Sequence, residues 1–115
     1  MQELAINTPT NDGVELNKDV NYKLNLTGIT DLNKESILID VDHYFGITEI
    51  YINPNSRPEK LEDFRWKMAE VHNGMFTITP EERKQFGKEI DSLYITVHGK
   101  TFATYTITAA EAKSF

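Results

Sequence analysis

From Val20 onward, apolar and polar residues exchange places at every step, with Val20, Tyr22, Leu24 and Leu26 on one parity and Asn21, Lys23, Asn25 and Thr27 on the other. A period of two puts successive side chains on opposite faces of an extended chain, so this stretch predicts a strand with one buried face. Gly28 ends it. Ile37, Ile39 and Val41 repeat the pattern against Leu38, Asp40 and Asp42, a face that begins apolar and finishes with two carboxylates. Three further short strands are predicted by Ile50 and Ile52 against Glu49 and Tyr51, by Phe64, Trp66 and Met68 around Arg65 and Lys67, and by Phe76 and Ile78 around Thr77. Because Trp66 shares parity with Phe64 and Met68, it is expected to fill the interior.

Near the end, Leu93, Ile95 and Val97 alternate with Tyr94, Thr96 and His98, and after Gly99-Lys100 the alternation resumes from Phe102 to Ala109, which predicts a closing hairpin. Thr79-Pro80-Glu81-Glu82 fits a capping box with proline at the first helical position, so residues 80–86 predict one short helix, stopped by Gly87. Short strands separated by turn residues, with almost no helix, imply an all-β fold: an antiparallel β-sandwich rather than βαβ units.

Composition then narrows the partners. A chain of 115 residues fits one domain, residues 1–115, that buries roughly 65% of the surface its unfolded form exposes. Twelve Lys and Arg against 18 Asp and Glu give a net charge of −6 and no basic stripe, so nucleic acid is not an expected partner. Cysteine is absent, which removes disulfides and thiolate chemistry. No apolar run approaches the ~18 residues of a membrane span, and Met1 to Ile6 lacks the basic and apolar regions of a signal peptide.

No catalytic constellation emerges, and the expectation is that the chain is not an enzyme. The serines Ser36, Ser56, Ser92 and Ser114 sit in no Gly-x-Ser-x-Gly turn, and His43, His72 and His98 lack the helical spacing of a zinc site. Tyr51 and Tyr94 have polar neighbours of the same parity and are the candidates for a surface that stacks against a protein or carbohydrate ligand. Asn25-Leu26-Thr27 satisfies the glycosylation sequon, inside a predicted strand.

One stretch suggests a family. Gly46-Ile47-Thr48-Glu49-Ile50-Tyr51-Ile52, then a loop with Pro54 and Pro58, then Asp63-Phe64-Arg65-Trp66, resembles the middle of bacterial pre-peptidase C-terminal (PPC) domains. Leu93-Tyr94-Ile95-Thr96-Val97-His98-Gly99 and Ala103-Thr104-Tyr105-Thr106-Ile107 are similar to that family's last two strands. Thr48 and Glu49 replace its paired aspartates, and a helical insert from Thr79 to Glu89 replaces a glycine, so the resemblance is to a divergent member. It implies a jelly-roll-like sandwich, extracellular or at the cell surface, that serves a larger secreted or surface protein in adhesion, in matrix or substrate binding, or as a spacer. Some members bind calcium. Asp40 and Asp42 share one strand face, and Asp31, Glu49, Asn11 and Asp12 are the further oxygen donors expected for such an ion. The alternative is a calcium-responsive, C2-like domain that binds membrane or a protein partner.

Overall fold

The computed structural model describes residues 1–26, 35–71, 73–87 and 89–113. Among these residues, nine strands form two sheets: β1 (Gln2–Leu4), β2 (Thr10–Val14), β3 (Asp19–Asn25), β4 (Glu35–Phe45), β5 (Thr48–Pro54), β6 (Trp66–Val71), β7 (Asn73–Ile78), β8 (Ser92–Gly99) and β9 (Ala103–Lys113). Five of them make one sheet in the order β1-β3-β8-β5-β6, and four make the other in the order β2-β9-β4-β7. All ladders are antiparallel except the short β1–β3 pairing at one edge. The expected all-β sandwich is therefore the observed architecture. One helix, α1 (Pro80–Gln85), lies between β7 and β8, capped by the Thr79 hydroxyl accepting from the Glu82 amide at 3.2 Å.

The interior is made by the predicted parities. Tyr22, Leu24, Ile37, Ile39, Val41, Ile50, Ile52, Leu93, Ile95, Val97 and Ile107 are buried between the sheets. Two buried tyrosines tie the sheets together by polar contact. The Tyr22 hydroxyl on β3 donates to Asp12 Oδ2 at 2.7 Å and stands 2.7 Å from the Tyr105 hydroxyl on β9. Burial, before any other cause, raises both phenols above their ordinary range, so they act as neutral donors.

Three expectations change. The closing pair β8 and β9 is not a hairpin: β8 pairs with β3 and β5, while β9 pairs with β2 and β4, so the connection crosses from one sheet to the other. Two consecutive strands that each bury one face show the same alternation whether they pair or arch over a core. Trp66 is half-buried rather than enclosed, because β6 is an edge strand; its ring meets Phe76 at 5.8 Å and the Arg65 guanidinium at 5.4 Å. Phe64 precedes the strand, so its parity does not carry over. It is buried on the outer side of the five-stranded sheet against Tyr51.

Candidate functional site: a roofed sheet face

Of the connections between consecutive strands, β5 to β6 keeps both strands in one sheet, and its eleven residues, 55–65, fold back over the outer face of that sheet. Asn55 starts the fold-back in the left-handed region, at φ 65°. Its side-chain amide donates to the Glu89 carbonyl at 2.8 Å and accepts from the Asp91 amide at 2.9 Å, which pins the loop to the segment entering β8. Further along, Arg57 Nε reaches Asn21 Oδ1 on β3 at 2.8 Å, and Asn21 also accepts from Thr96 on β8 at 2.7 Å. A single turn of 3-10 helix, Leu61–Asp63, then returns the chain to Phe64.

Beneath this roof lies a cleft of about 520 Å3 lined by Tyr51, Lys60, Leu61, Glu62, Phe64 and Lys67. Its floor is built by register, since Tyr51 and Lys67 are paired across β5 and β6. The Phe64 ring meets the Tyr51 ring edge-on at 5.8 Å, and Lys67 Nζ stands 5.3 Å from the centre of the Tyr51 ring. Glu49, one step along the same face, accepts from the Tyr51 hydroxyl at 3.0 Å and faces Lys67 Nζ at 3.3 Å. Burial pushes the Glu49 carboxyl up, but the Tyr51 hydroxyl and the Lys67 ammonium outweigh it and hold the group below its ordinary value. The Tyr51 phenol is raised, first by burial and then by its bond to Glu49, and the Lys67 ammonium is raised by Tyr51 and Glu49. Each group thus keeps its ordinary charge at neutral pH. The set can donate hydrogen bonds and present aromatic and cationic surface to a ligand, but none of the three is poised to exchange a proton there.

The candidate residues are distributed as follows. Tyr51 lies in the cleft but is only 6% exposed, which corrects the expectation of an open platform: the roof and Lys67 cover it. Tyr94, on the same face, is half-buried under Lys23 Nζ at 5.6 Å. Asp40 and Asp42 do share a face, the outer one of the four-stranded sheet, where Asp42 is in register with Thr106 and Thr106 with Asn11. Glu49 is on the outer face of the other sheet, and Asp12 is engaged by Tyr22, so neither joins them. Asp31 lies outside the described residues. Among the described residues, no three His, Asp or Glu stand close enough to hold a metal ion.

His43 is buried with Nε2 2.9 Å from the Thr48 hydroxyl, and His98 Nδ1 contacts Asp19 at 2.6 Å; His72 is outside the described residues. Asn25 is exposed at the end of β3, while Thr27 of its sequon is not described. Lys60, Leu61, Phe64 and Lys67 carry no signal in the sequence that marks them as cleft residues. The signal for Lys67 was its place opposite Tyr51, legible once the two strands are paired.

Comparison with solved structures places this geometry. The pre-peptidase C-terminal domain of a collagenase from Bacillus anthracis superimposes with a TM-score of 0.61 over 94% of this chain and 92% of that one, at 13% sequence identity. The fold is that of a pre-peptidase C-terminal domain. No family model matches the chain, and no curated protein matches it by sequence. Arg83 explains how α1 docks: its buried guanidinium donates to the carbonyls of Ile78 at 3.3 Å and Glu35 at 2.6 Å. Among the described residues no helix is long and apolar enough to cross a membrane.

Proposed function

We propose that this chain is a non-catalytic accessory module of a secreted or cell-surface protein, and that it holds an extracellular protein or carbohydrate ligand in the Tyr51 cleft. The observation that carries the reading is the roof itself: a long loop pinned at Asn55 and Arg57 that leaves a cleft of about 520 Å3, within the range of ligand sites, between aromatic edges and two lysines. The PPC fold supports the accessory role, since the solved neighbour is one domain of a collagenase. Lys60 offers a partner to a ligand carboxylate, Lys67 being already engaged by Glu49, and the Phe64 and Tyr51 rings favour flat apolar surface beside it. Amide chemical-shift mapping with gelatin peptides and with glucuronate-containing oligosaccharides is the test. Saturable shifts at Tyr51, Leu61, Phe64 and Lys67, lost in Lys60→Ala/Leu61→Ala, are expected. Shifts confined to other faces, or none with either ligand class, would remove the cleft from the function.

A second reading, a calcium-responsive module, rests on Asp40 and Asp42 sharing an open face where, among the described residues, neither has a cation within 4.0 Å. It requires the thermal midpoint to rise in millimolar calcium relative to chelator and the rise to vanish in Asp40→Asn/Asp42→Asn.

A further inference from the structure

One end of the sandwich exposes large apolar side chains on three turns that the sequence does not link. Leu16 between β2 and β3 is 56% exposed, Phe45 at the end of β4 is 60%, and Phe102 between β8 and β9 is 52%, with Ile47 beside them. These turns are bonded to one another. The amides of Lys100 and Thr101 donate to the Ile47 carbonyl at 3.0 and 3.2 Å, and the Ile47 amide donates to Thr101 Oγ1 at 3.0 Å. On the other side, the Asn17 amide donates to Gly99 O at 2.8 Å and the Gly99 amide to Lys18 O at 3.0 Å. Two glycines make the approach possible. A Cβ on Gly46, which has φ +88°, would collide with the Phe102 carbonyl, and one on Gly99 with the Glu15 carbonyl. The Phe45 and Phe102 rings meet at 6.1 Å. The result is a fixed tip whose apolar groups face water together, a patch of the size that on a soluble monomer is often functional.

We propose that this tip inserts into the interface of a phospholipid bilayer. Area argues for lipid over a protein partner. Four side chains expose at most a few hundred Å2, short of the roughly 800 Å2 per partner that a stable protein interface needs, whereas a bilayer asks for no matching shape. Charge agrees: Lys18 and Lys100 balance Glu15 and Asp19 on the same turns, and Asp19 is engaged by His98, so the chain's net charge of −6 resides elsewhere. A locally neutral end with apolar groups in front and two lysine stems beside them suits insertion between headgroups, the ammonium groups meeting phosphate. The carboxyl-terminal end of β9 lies at the opposite pole, where Lys113 is in backbone register with Glu35. The proposal uses none of the cleft residues and no calcium, so it stands or falls apart from both readings above.

Cosedimentation with sucrose-loaded phosphatidylcholine vesicles in chelator, with and without added phosphatidylserine, tests it. Binding to both vesicle types is expected, weakened at least tenfold in Phe45→Ser/Phe102→Ser and unchanged in Met75→Ser, which removes an exposed apolar group from the four-stranded sheet. Because the chain lacks cysteine, Leu16→Cys carries a single environment-sensitive dye whose emission should shift to the blue on vesicle addition, while Thr77→Cys, toward the other pole, should not respond. Circular dichroism checks that each variant is folded. No vesicle binding by the native chain, equal binding by the double serine variant, or binding replaced by self-association that the same variant abolishes would overturn the proposal, the last assigning the tip to a second copy of the chain.

Discussion

The outer faces of the two sheets arise from the same alternation and end in opposite states. On the five-stranded sheet, Tyr51 and Thr96 are buried under the 55–65 loop, and the carboxylate in the row, Glu49, is answered by Lys67 and the Tyr51 hydroxyl. On the four-stranded sheet, Met75 is 57% exposed, and Asp40 and Asp42 stand together with, among the described residues, no cation within 4.0 Å. The difference is that one sheet contains a same-sheet connection long enough to fold back and the other does not. The cover over one face, and with it the candidate binding cleft, thus comes from a loop laid over strands that supply the floor.

The largest effect expected from this contrast is at Phe64. Truncating it to Ala removes the ring that closes the roof onto Tyr51 and should cost about 3 kcal/mol, whereas Met75→Ala on the open face should change stability by less than ~0.5 kcal/mol. Urea unfolding of the two variants checks the difference. Equal losses would mean that the roof rests on the sheet without supporting it.

That asymmetry explains what could be read from the chain alone. The parities of the central strands are legible because each presents two or more large apolar residues to one core, and residue type alone carries that information. Gln2–Leu4 and Thr10–Val14 carry no strand signal of their own, since each buries a single apolar residue and the second contains Asp12-Gly13, a turn signal. Register and sheet membership depend on which strands meet. Hence Tyr51 was legible as a residue of the outer face but not as a covered one, and Asp40 with Asp42 was legible as a pair while Glu49 was misplaced beside them.

A middle-sized effect should separate the hinge of the roof from its cover. Asn55→Ala loses two side-chain hydrogen bonds and places alanine at φ 65°, and should cost about 2 kcal/mol; Asn55→Gly loses the same bonds but accepts that backbone, and should cost about 1 kcal/mol. On the open face, Asn11→Ala removes only an exposed acceptor of the Thr106 hydroxyl and should shift stability by a few tenths of a kcal/mol. Thermal melts of the three rank them. If Asn55→Gly matched Asn55→Ala, the hydrogen bonds alone would hold the loop and its backbone conformation would contribute nothing.

The smallest effect is the most discriminating, because the two faces should respond to pH with opposite signs. Burial, and then the charge of Asp42, raises the Asp40 carboxyl above its ordinary value. The folded state therefore holds a proton that the unfolded chain has released, and stability falls as pH rises from the ordinary aspartate range through the raised folded value. Glu49 is the reverse. Its folded value is lowered, so its contribution is complete above the ordinary glutamate range and is lost as pH falls through the folded value. Asp40→Asn should accordingly raise the thermal midpoint at pH 7 by roughly 2 °C, with the gain fading in acid, while Glu49→Gln should lower it by a similar ~2 °C, with the loss fading in acid; exposure and salt screening keep both small. Melts of the native chain and both variants across pH 4 to 8 in low salt give the two differences directly. Like-signed differences would show that the roof leaves Glu49 as uncompensated as Asp40, and the two faces would then differ in cover alone and not in charge.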